Sequence, residues 1–181
     1  MRPVVLSLLA VMTIAALFGG CAGTGGNWNT FDLPNDPDYL YATGTAESQA
    51  LQIAIDKATM NARAEIGRML ELKLNGLQKS FAEEVGTNDT ELNQFFSQTT
   101  KTIVSTQLVG SKIRESKYKE KDGTYQSVVV VEYPIGAANA ALVEQIKKNE
   151  NMYTRFLASE SFKELESEVE KYEKLKSQGQ N

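Results

Sequence analysis

Alanines at four-residue intervals restrict more than any other feature what this chain can fold into. Ala50, Ala54, Ala58 and Ala62 recur on one side of an α-helix, with larger apolar residues beside them. This spacing predicts one long amphipathic helix over residues 47–79. Because small side chains let the helix backbone come close to its neighbour, we expect the alanine stripe to lie against a β-sheet.

Three segments have the composition of the strands that such a sheet needs. Tyr39–Thr45 is aromatic and β-branched, and Gly44 within it allows a close backbone approach. Residues 109–119 and 124–133 are also β-rich, and the Asp122–Gly123 pair between them predicts a hairpin. Residues 128–131 are all valines, which predicts a central strand that is covered on both faces at its middle.

Helical periodicity returns in three further segments. Residues 90–105 show it, although 104–108 also read as the start of a strand. Residues 136–148 predict a second packing helix. From Ser159 onward apolar residues follow heptad spacing, which predicts a C-terminal amphipathic helix that packs on its own domain or on a partner.

These elements predict an α+β fold. We expect a small antiparallel sheet of about three strands, packed by the long Ala-rich helix and the second helix, with the C-terminal amphipathic helix in addition. We expect this α+β domain to span residues 39–150 and residues 151–181 to form a C-terminal helical tail. A Gly- and Asn-rich stretch, residues 21–38, is expected to be a flexible tether, with a solvated turn at Asp36–Asp38.

The first residues have the pattern of an export signal. Arg2 is followed by an apolar stretch, Val4–Phe18, and then by small residues. Its fifteen residues would reach about 22 Å as a helix, short of the roughly 30 Å hydrocarbon core of a membrane. We therefore predict a signal peptide over residues 1–20, the alternative being a transmembrane anchor that is never cleaved.

The end of this signal resembles the bacterial lipobox. The residues in question are Leu17-Phe18-Gly19-Gly20-Cys21, with small residues directly before the cysteine. The resemblance implies that the Cys21 sulfur receives a diacylglyceryl group and that the new amino terminus is acylated, with fatty acids such as palmitate. Two or more acyl chains hold a protein stably at a membrane, whereas one binds only marginally. Cys21 is therefore the predicted lipidation site.

The rest of the composition excludes several classes of function. Cys21 is the only cysteine, so after its lipidation no thiolate remains as a nucleophile or metal ligand. Histidine is absent, which removes the commonest general base and the commonest transition-metal ligand. Without residues 1–20 the chain has 18 basic and 23 acidic side chains, a balance unsuited to nucleic acid. The neighbouring acids Glu83 and Glu84 would point about 100° apart on a helix, which favours solvent-facing charge over acid–base catalysis. We predict no enzyme, catalytic site, cofactor or metal.

Two groups of side chains offer candidate binding surfaces. The predicted hairpin is rich in basic residues, which either contact anionic lipid or glycan or form a charged edge that resists aggregation. Five tyrosines on or near the strands either form an aromatic surface or pack into the core and edges. These tyrosines are Tyr39, Tyr41, Tyr118, Tyr125 and Tyr133.

Two sequence segments together resemble a known family. Tyr41-Ala-Thr-Gly-Thr-Ala46, followed by the alanine stripe and Ala62-Arg63-Ala64-Glu65-Ile66, is similar to the LPP-twenty lipoproteins, small bacterial envelope proteins that include flagellar outer-membrane lipoproteins. The resemblance implies a helix lying on a small antiparallel sheet, an outer-membrane or surface location, and no enzymatic site. Ala22 and Gly23 follow Cys21 without an aspartate, which in enteric-type sorting directs a lipoprotein to the outer membrane.

Two functions are consistent with these observations. One is a non-catalytic structural or assembly role in the cell envelope, for which association with a flagellum is one reading. In this role the lipid anchors the protein in the membrane, and its partner is either a second copy of itself or an envelope complex. The alternative is a periplasmic binding module for a lipidic or glycan ligand.

Overall fold

The computed structural model describes residues 28–86, 90–107 and 110–178. The predicted signal peptide and Cys21 lie outside these residues. Within them the elements follow the order β1, Tyr39–Ser48; α1, Leu51–Val85; α2, Thr90–Gln107; β2, Lys112–Lys121; β3, Thr124–Pro134; α3, Ile135–Lys148; α4, Glu150–Phe156; α5, Glu160–Gln178. From Phe31 onward the chain forms one compact unit. The predicted α+β class is confirmed.

The sheet is antiparallel, with the order β1-β3-β2. Strand β3 is therefore central, and its residues Val128–Val131 are all buried, as the run of valines predicts. Asp122 and Gly123 join β2 to β3 with φ angles of 51° and 73°, the left-handed conformation that a tight hairpin turn needs. Strand β1 extends three residues beyond the predicted Thr45, because Ala46–Ser48 continue the ladder with residues 125–127 of β3.

Helix α1 packs on the sheet through the alanine stripe. Ala54, Ala58 and Ala62 are completely buried, whereas Ala50 precedes the helix, which begins at Leu51 rather than at residue 47. A β carbon added to Gly44 of β1 would lie only 2.0 Å from the carbonyl oxygen of Ala58. The close backbone approach predicted for Gly44 is therefore present, and α1 is its cause.

Beyond the sheet, α1 continues into a helical half of the domain. It ends at Val85, six residues later than predicted, and Gly86 follows in the left-handed conformation with φ 70°. Phe81 near this end stacks on Phe156 of α4, with ring centroids 4.5 Å apart, and also contacts Phe96 of α2. These three rings, all buried, form the centre of the helical half.

The helix predicted for residues 90–105 is confirmed, since α2 extends from Thr90 to Gln107. The strand reading of residues 104–107 is wrong, and Leu108 lies outside the described residues. One face of α2 buries Leu92, Phe96 and Ile103 in the core that α1 and β3 share. This packing favours helix over the strand propensity of the threonines in α2, of which Thr99 and Thr100 are buried and Thr102 is exposed.

The last three helices pack on one another. Helix α3 follows β3 directly, and α5 lies against it with Phe162 and Leu165 buried. The Asn139 side chain of α3 donates a hydrogen bond of 2.6 Å to Glu168 of α5. The C-terminal helix thus packs on its own domain. Between α3 and α5, helix α4 begins where the Asn149 side chain accepts a hydrogen bond from the Met152 backbone nitrogen.

Candidate anchoring site and interaction surfaces

The predicted lipidation site, Cys21, lies outside the described residues. The compact unit that follows it in the chain begins at Phe31. Residues 31–38 belong to the compact unit, although the sequence suggests that they are part of the tether. The turn predicted at Asp36–Asp38 is present, since the Asp36 carboxylate accepts a hydrogen bond of 2.9 Å from the Asp38 backbone. The predicted limits of signal peptide, tether, domain and tail stay predictions.

The strand register sorts the basic residues of β2 onto one face of the sheet. Lys112, Lys117, Lys119 and Lys121 stand opposite even-numbered residues of β3. The odd-numbered residues of β3 face α1, because Val129 pairs with Gly44. We call the face with the even-numbered residues the outer face. The basic residues therefore point away from the helix-covered core.

Residue Arg114 joins this outer face through a bulge in β2. Its guanidinium donates a hydrogen bond of 2.9 Å to Glu132 and lies 5.6 Å from the ring centre of Tyr41. The hydrogen bond to Glu132 raises the pKa of Arg114 above its usual value. Partial burial, and then the nearby charge of Asp36, raise the pKa of Tyr41. The arginine is thus held by an acid on the neighbouring strand β3 and by an aromatic ring on β1 beyond it.

The chain before β1 lies across the outer face. The ammonium of Lys117 lies 4.2 Å from the ring centre of Phe31, and Lys117 stands opposite Val128 on β3. Phe31 therefore lies on the outer face near Val128. This placement is consistent with the burial of Val128 and Val130, which are 2% and 1% exposed although α1 covers the other face. The prediction that β3 is covered on both faces holds.

The five strand tyrosines do not form one aromatic surface. Tyr133 is completely buried on the α1 side of β3. Tyr39 and Tyr41 stack at one end of the outer face, with ring centroids 6.1 Å apart. Tyr118 and Tyr125 contact each other at the hairpin end, on the α1 side of the sheet. The tyrosines thus occupy three separate places, most of them in packing roles.

The two edges of the sheet differ sharply in charge. Seven of the ten residues of β2 are charged, and its side chains are almost all exposed, which is the composition that discourages edge-to-edge pairing. Strand β1 has no charged residue between Tyr39 and Ala46. Of the two readings of the basic hairpin, its position on an edge strand favours the protective one.

The described ranges 28–86, 90–107 and 110–178 contain no group of three or more acidic, histidine or cysteine side chains that could hold a metal ion. No helix within these ranges is long and apolar enough to cross a membrane. Two depressions of about 390 and 440 Å³ lie along α2, and Phe95 is the only apolar residue among the described residues that line them.

The paired acids considered for catalysis have separate surroundings. Glu84 accepts hydrogen bonds from the hydroxyl and the backbone nitrogen of Ser161, at the start of α5. The hydroxyl bond is the main reason why the pKa of Glu84 lies below its usual value. Glu83 is exposed on the next position of α1. Glu84 thus links two helices.

The site-level features of this α+β domain are thus one charged sheet edge, β2, and one edge, β1, without charge between Tyr39 and Ala46. Residues 27–132 match the LPP20 lipoprotein family. The chain belongs to this family, which confirms the predicted resemblance and supports an envelope lipoprotein held at a membrane through lipid. The family is not one of known enzymes.

Comparisons with individual proteins add little. No curated protein matches the chain significantly. The crystal structure of a hypothetical protein from Francisella tularensis is 22% identical over 64% of this chain, with a TM-score of 0.33. The chain spans 44% of the length of that protein.

Sequence reasoning missed one residue at the uncharged edge. The side-chain amide of Asn61, on α1, donates a hydrogen bond of 2.8 Å to the Thr45 carbonyl oxygen of β1. A polar residue directly before Ala62, at the border of the alanine stripe, was the only signal for this contact. The contrast in charge between β1 and β2, by comparison, was readable from the sequence.

Proposed function

We propose that the protein is a non-catalytic structural component of the cell envelope, acylated on Cys21 and located in the outer membrane, where it takes part in assembling a protein complex. The observation that carries the proposal is the family match over residues 27–132, which begins six residues after the lone cysteine, Cys21, and its two preceding glycines. A flagellar complex is one candidate for the assembly, by the family resemblance.

The geometry of the domain supports assembly over ligand binding. The tyrosines that would form an aromatic platform are divided among three places, and the two depressions on α2 are shallow and polar. Small-molecule sites are usually concave and mostly apolar, with a few converging polar groups. An extended uncharged sheet edge, in contrast, is a surface that proteins use to bind one another.

Outer-membrane location is the finer part of the proposal. Ala22 and Gly23 follow Cys21, and the absence of an aspartate there supports outer-membrane sorting of the enteric type. Whether the domain faces the periplasm or the cell surface determines which complex it meets. Protease treatment of intact cells, compared with cells whose outer membrane has been opened, distinguishes the two.

Mass spectrometry of the intact protein from native membranes tests the anchor. We expect a chain that begins at Cys21 and carries the added mass of two or three acyl chains. A Cys21→Ala variant should lose this mass and the processing that depends on it. Gly20→Ala is the matched control, because a small residue remains before the cysteine and lipidation should persist. A chain that keeps residues 1–20 without acyl mass would contradict the proposal.

Cross-linking in intact cells tests the assembly role. We expect the lipidated protein to be recovered in a complex with envelope proteins, whereas the Cys21→Ala variant should lose that complex with its membrane position. Fractionation of inner and outer membranes in the same cells locates the complex. A monomer with no cross-linked neighbour would contradict an assembly role while leaving the lipid anchor intact.

A further inference from the structure

The outer edge of β1 is held at two points by other parts of the chain. Asn61 donates its side-chain hydrogen bond to the Thr45 carbonyl oxygen, and the Tyr39 backbone nitrogen donates one of 3.3 Å to Asp36. In an antiparallel edge strand, every second residue directs both backbone polar groups outward. Tyr39 and Thr45 are therefore outward-facing residues.

The same alternation identifies the backbone groups between these two points. Tyr41 and Thr43 must also direct their N–H and C=O groups outward, since they lie at even spacing from Tyr39 and Thr45. No residue in the described part of the chain is bonded to these groups. Thr43 is exposed, so its backbone groups are accessible to a pairing strand.

The flank of α1 above this edge carries two exposed apolar side chains beside the charged, exposed Lys57 and Arg68. Ile53 is 49% exposed and Leu72 is 73% exposed. At 100° per residue, both project within about 80° of Asn61, on the side of α1 that reaches the edge of β1. They lie at nearly equal distances along the helix on either side of Ala62, which packs at Gly44.

We propose that a second copy of this chain pairs with the outer edge of β1, with Thr43 of each copy opposite the other around a two-fold axis. Such pairing is antiparallel and extends the sheet to six strands. Strands lie about 4.8 Å apart and α1 lies above β1 and β3, so the two α1 helices would be about 10 Å apart, the spacing of packed helices. Ile53 of one copy then approaches Leu72 of the other.

A two-fold partner fits these observations better than an unrelated strand does. The pairing surface is self-complementary, since the uncharged stretch from Tyr39 to Ala46 is centred near Thr43 and the two apolar residues of α1 are placed symmetrically about it. The opposite edge of the sheet, β2, is protected by its charges, so growth stops at the dimer. This inference deepens the proposed function by assigning a surface for self-association.

Disulfide trapping in the full chain tests the pairing. Two Thr43 residues in a hydrogen-bonded antiparallel pair have Cα atoms about 5.5 Å apart, within the range of about 4.4 to 6.8 Å that disulfides span. We expect Thr43→Cys, purified from membranes in detergent and mildly oxidised, to form a dimer of twice the chain mass. Ser116→Cys, exposed at the middle of β2, is the matched control and should remain monomeric on denaturing gels.

A charged edge provides a second and non-covalent test. Thr43→Lys places like charges opposite each other across the two-fold axis, which should weaken the dimer by roughly two- to fivefold. Thr43→Val keeps the β-branched shape and should leave the dimer intact. Position 43 is solvent-exposed within one copy, so both variants should keep the fold, and circular dichroism checks this. Equal dissociation constants for the two variants would overturn the proposal, as would a Thr43→Cys cross-link to a different protein.

The experiment also separates failure of this inference from failure of the lipid proposal. An acylated Cys21 has no free thiol, so the unaltered chain should not cross-link under oxidation. If it does, lipidation is contradicted, and Thr43→Cys is then tested in a chain that also carries Cys21→Ser. If the unaltered chain stays monomeric on denaturing gels and Thr43→Cys fails to cross-link, the anchor stands and the pairing of β1 is wrong.

Discussion

Gly44 of β1 lies directly against the backbone of Ala58 in α1. A β carbon at Gly44 would come within 2.0 Å of the Ala58 carbonyl oxygen and within 2.4 Å of the Ala62 nitrogen. Both are backbone atoms in the middle of a helix, so neither can move aside by changing a rotamer. The contact determines how closely α1 lies on the sheet, and so the position of Asn61 and the whole edge above β1.

We therefore expect Gly44→Ala to destabilise the domain by about 3 kcal/mol, the upper end of the usual range for overpacking. Urea unfolding followed by circular dichroism measures the loss. Gly76→Ala, in α1, is the control, because a β carbon there meets no described atom within 4 Å. It should stabilise the protein by about 0.5 to 1 kcal/mol through higher helix propensity. A Gly44→Ala protein as stable as the unaltered one would contradict the close packing.

Much of the half of the fold that contains the sheet and the alanine stripe of α1 could be predicted from the sequence, because its signals are local. A period of about four in the alanines and the Asp122–Gly123 pair each specify backbone geometry within a few residues. The valine run of β3 showed that the strand is central before any pairing was known. The same local logic points to Cys21, where the lipobox resemblance needs only five consecutive residues.

The other half depends on contacts between distant residues, which leave little trace in a single sequence. Helix α4 has only seven residues, too few for a periodic pattern, and its existence rests on Phe156 meeting Phe81 from the far end of α1. The bond from Asn61 to Thr45 likewise requires knowledge of how α1 lies over β1. Exposed apolar residues such as Leu72 are indistinguishable from core residues until the helix has been placed.

The aromatic cluster gives a prediction about α4. Phe156 is completely buried against Phe81 and Phe96, whereas its neighbour Leu157 is 52% exposed. Phe156→Ala should reduce the free energy of unfolding by about 3 to 5 kcal/mol, because it removes a large ring from a packed core. Leu157→Ala is the matched control and should change stability by less than about 0.5 kcal/mol. Thermal unfolding of both variants checks the difference, and similar losses would mean that α4 is not docked as described.

A second glycine reports on the docking of α5. A β carbon on Gly136, at the start of α3, would lie 2.4 Å from the β carbon of Tyr172. Gly136→Ala should therefore push the C-terminal half of α5 away, while Phe162 and Leu165 keep its first half in place. Hydrogen exchange measured by mass spectrometry should become faster around Tyr172 and stay unchanged in β1 and β3. Unchanged exchange at Tyr172 would show that α5 adjusts without leaving α3.

The bond between Glu84 and Ser161 makes part of the stability depend on pH. The pKa of Glu84 is lowered mainly by the hydrogen bond from the Ser161 hydroxyl, so the folded state binds this proton less readily than the unfolded chain does. A lowered pKa contributes stability above the unfolded value, about 4.3 for glutamate, and that contribution is lost as the pH falls through the folded value.

Glu84→Gln should consequently be less stable than the unaltered protein at pH 7, and the gap should narrow as the pH falls below about 4.3. Urea unfolding of both proteins at a series of pH values from 7 to 3 measures this difference in stability. Glu83→Gln, at the exposed neighbouring position, is the control and should show no gap at any pH in this range. A Glu84→Gln gap that stays constant down to pH 3 would mean that the ionised carboxylate does not hold the start of α5, and that the link between α1 and α5 rests on packing alone.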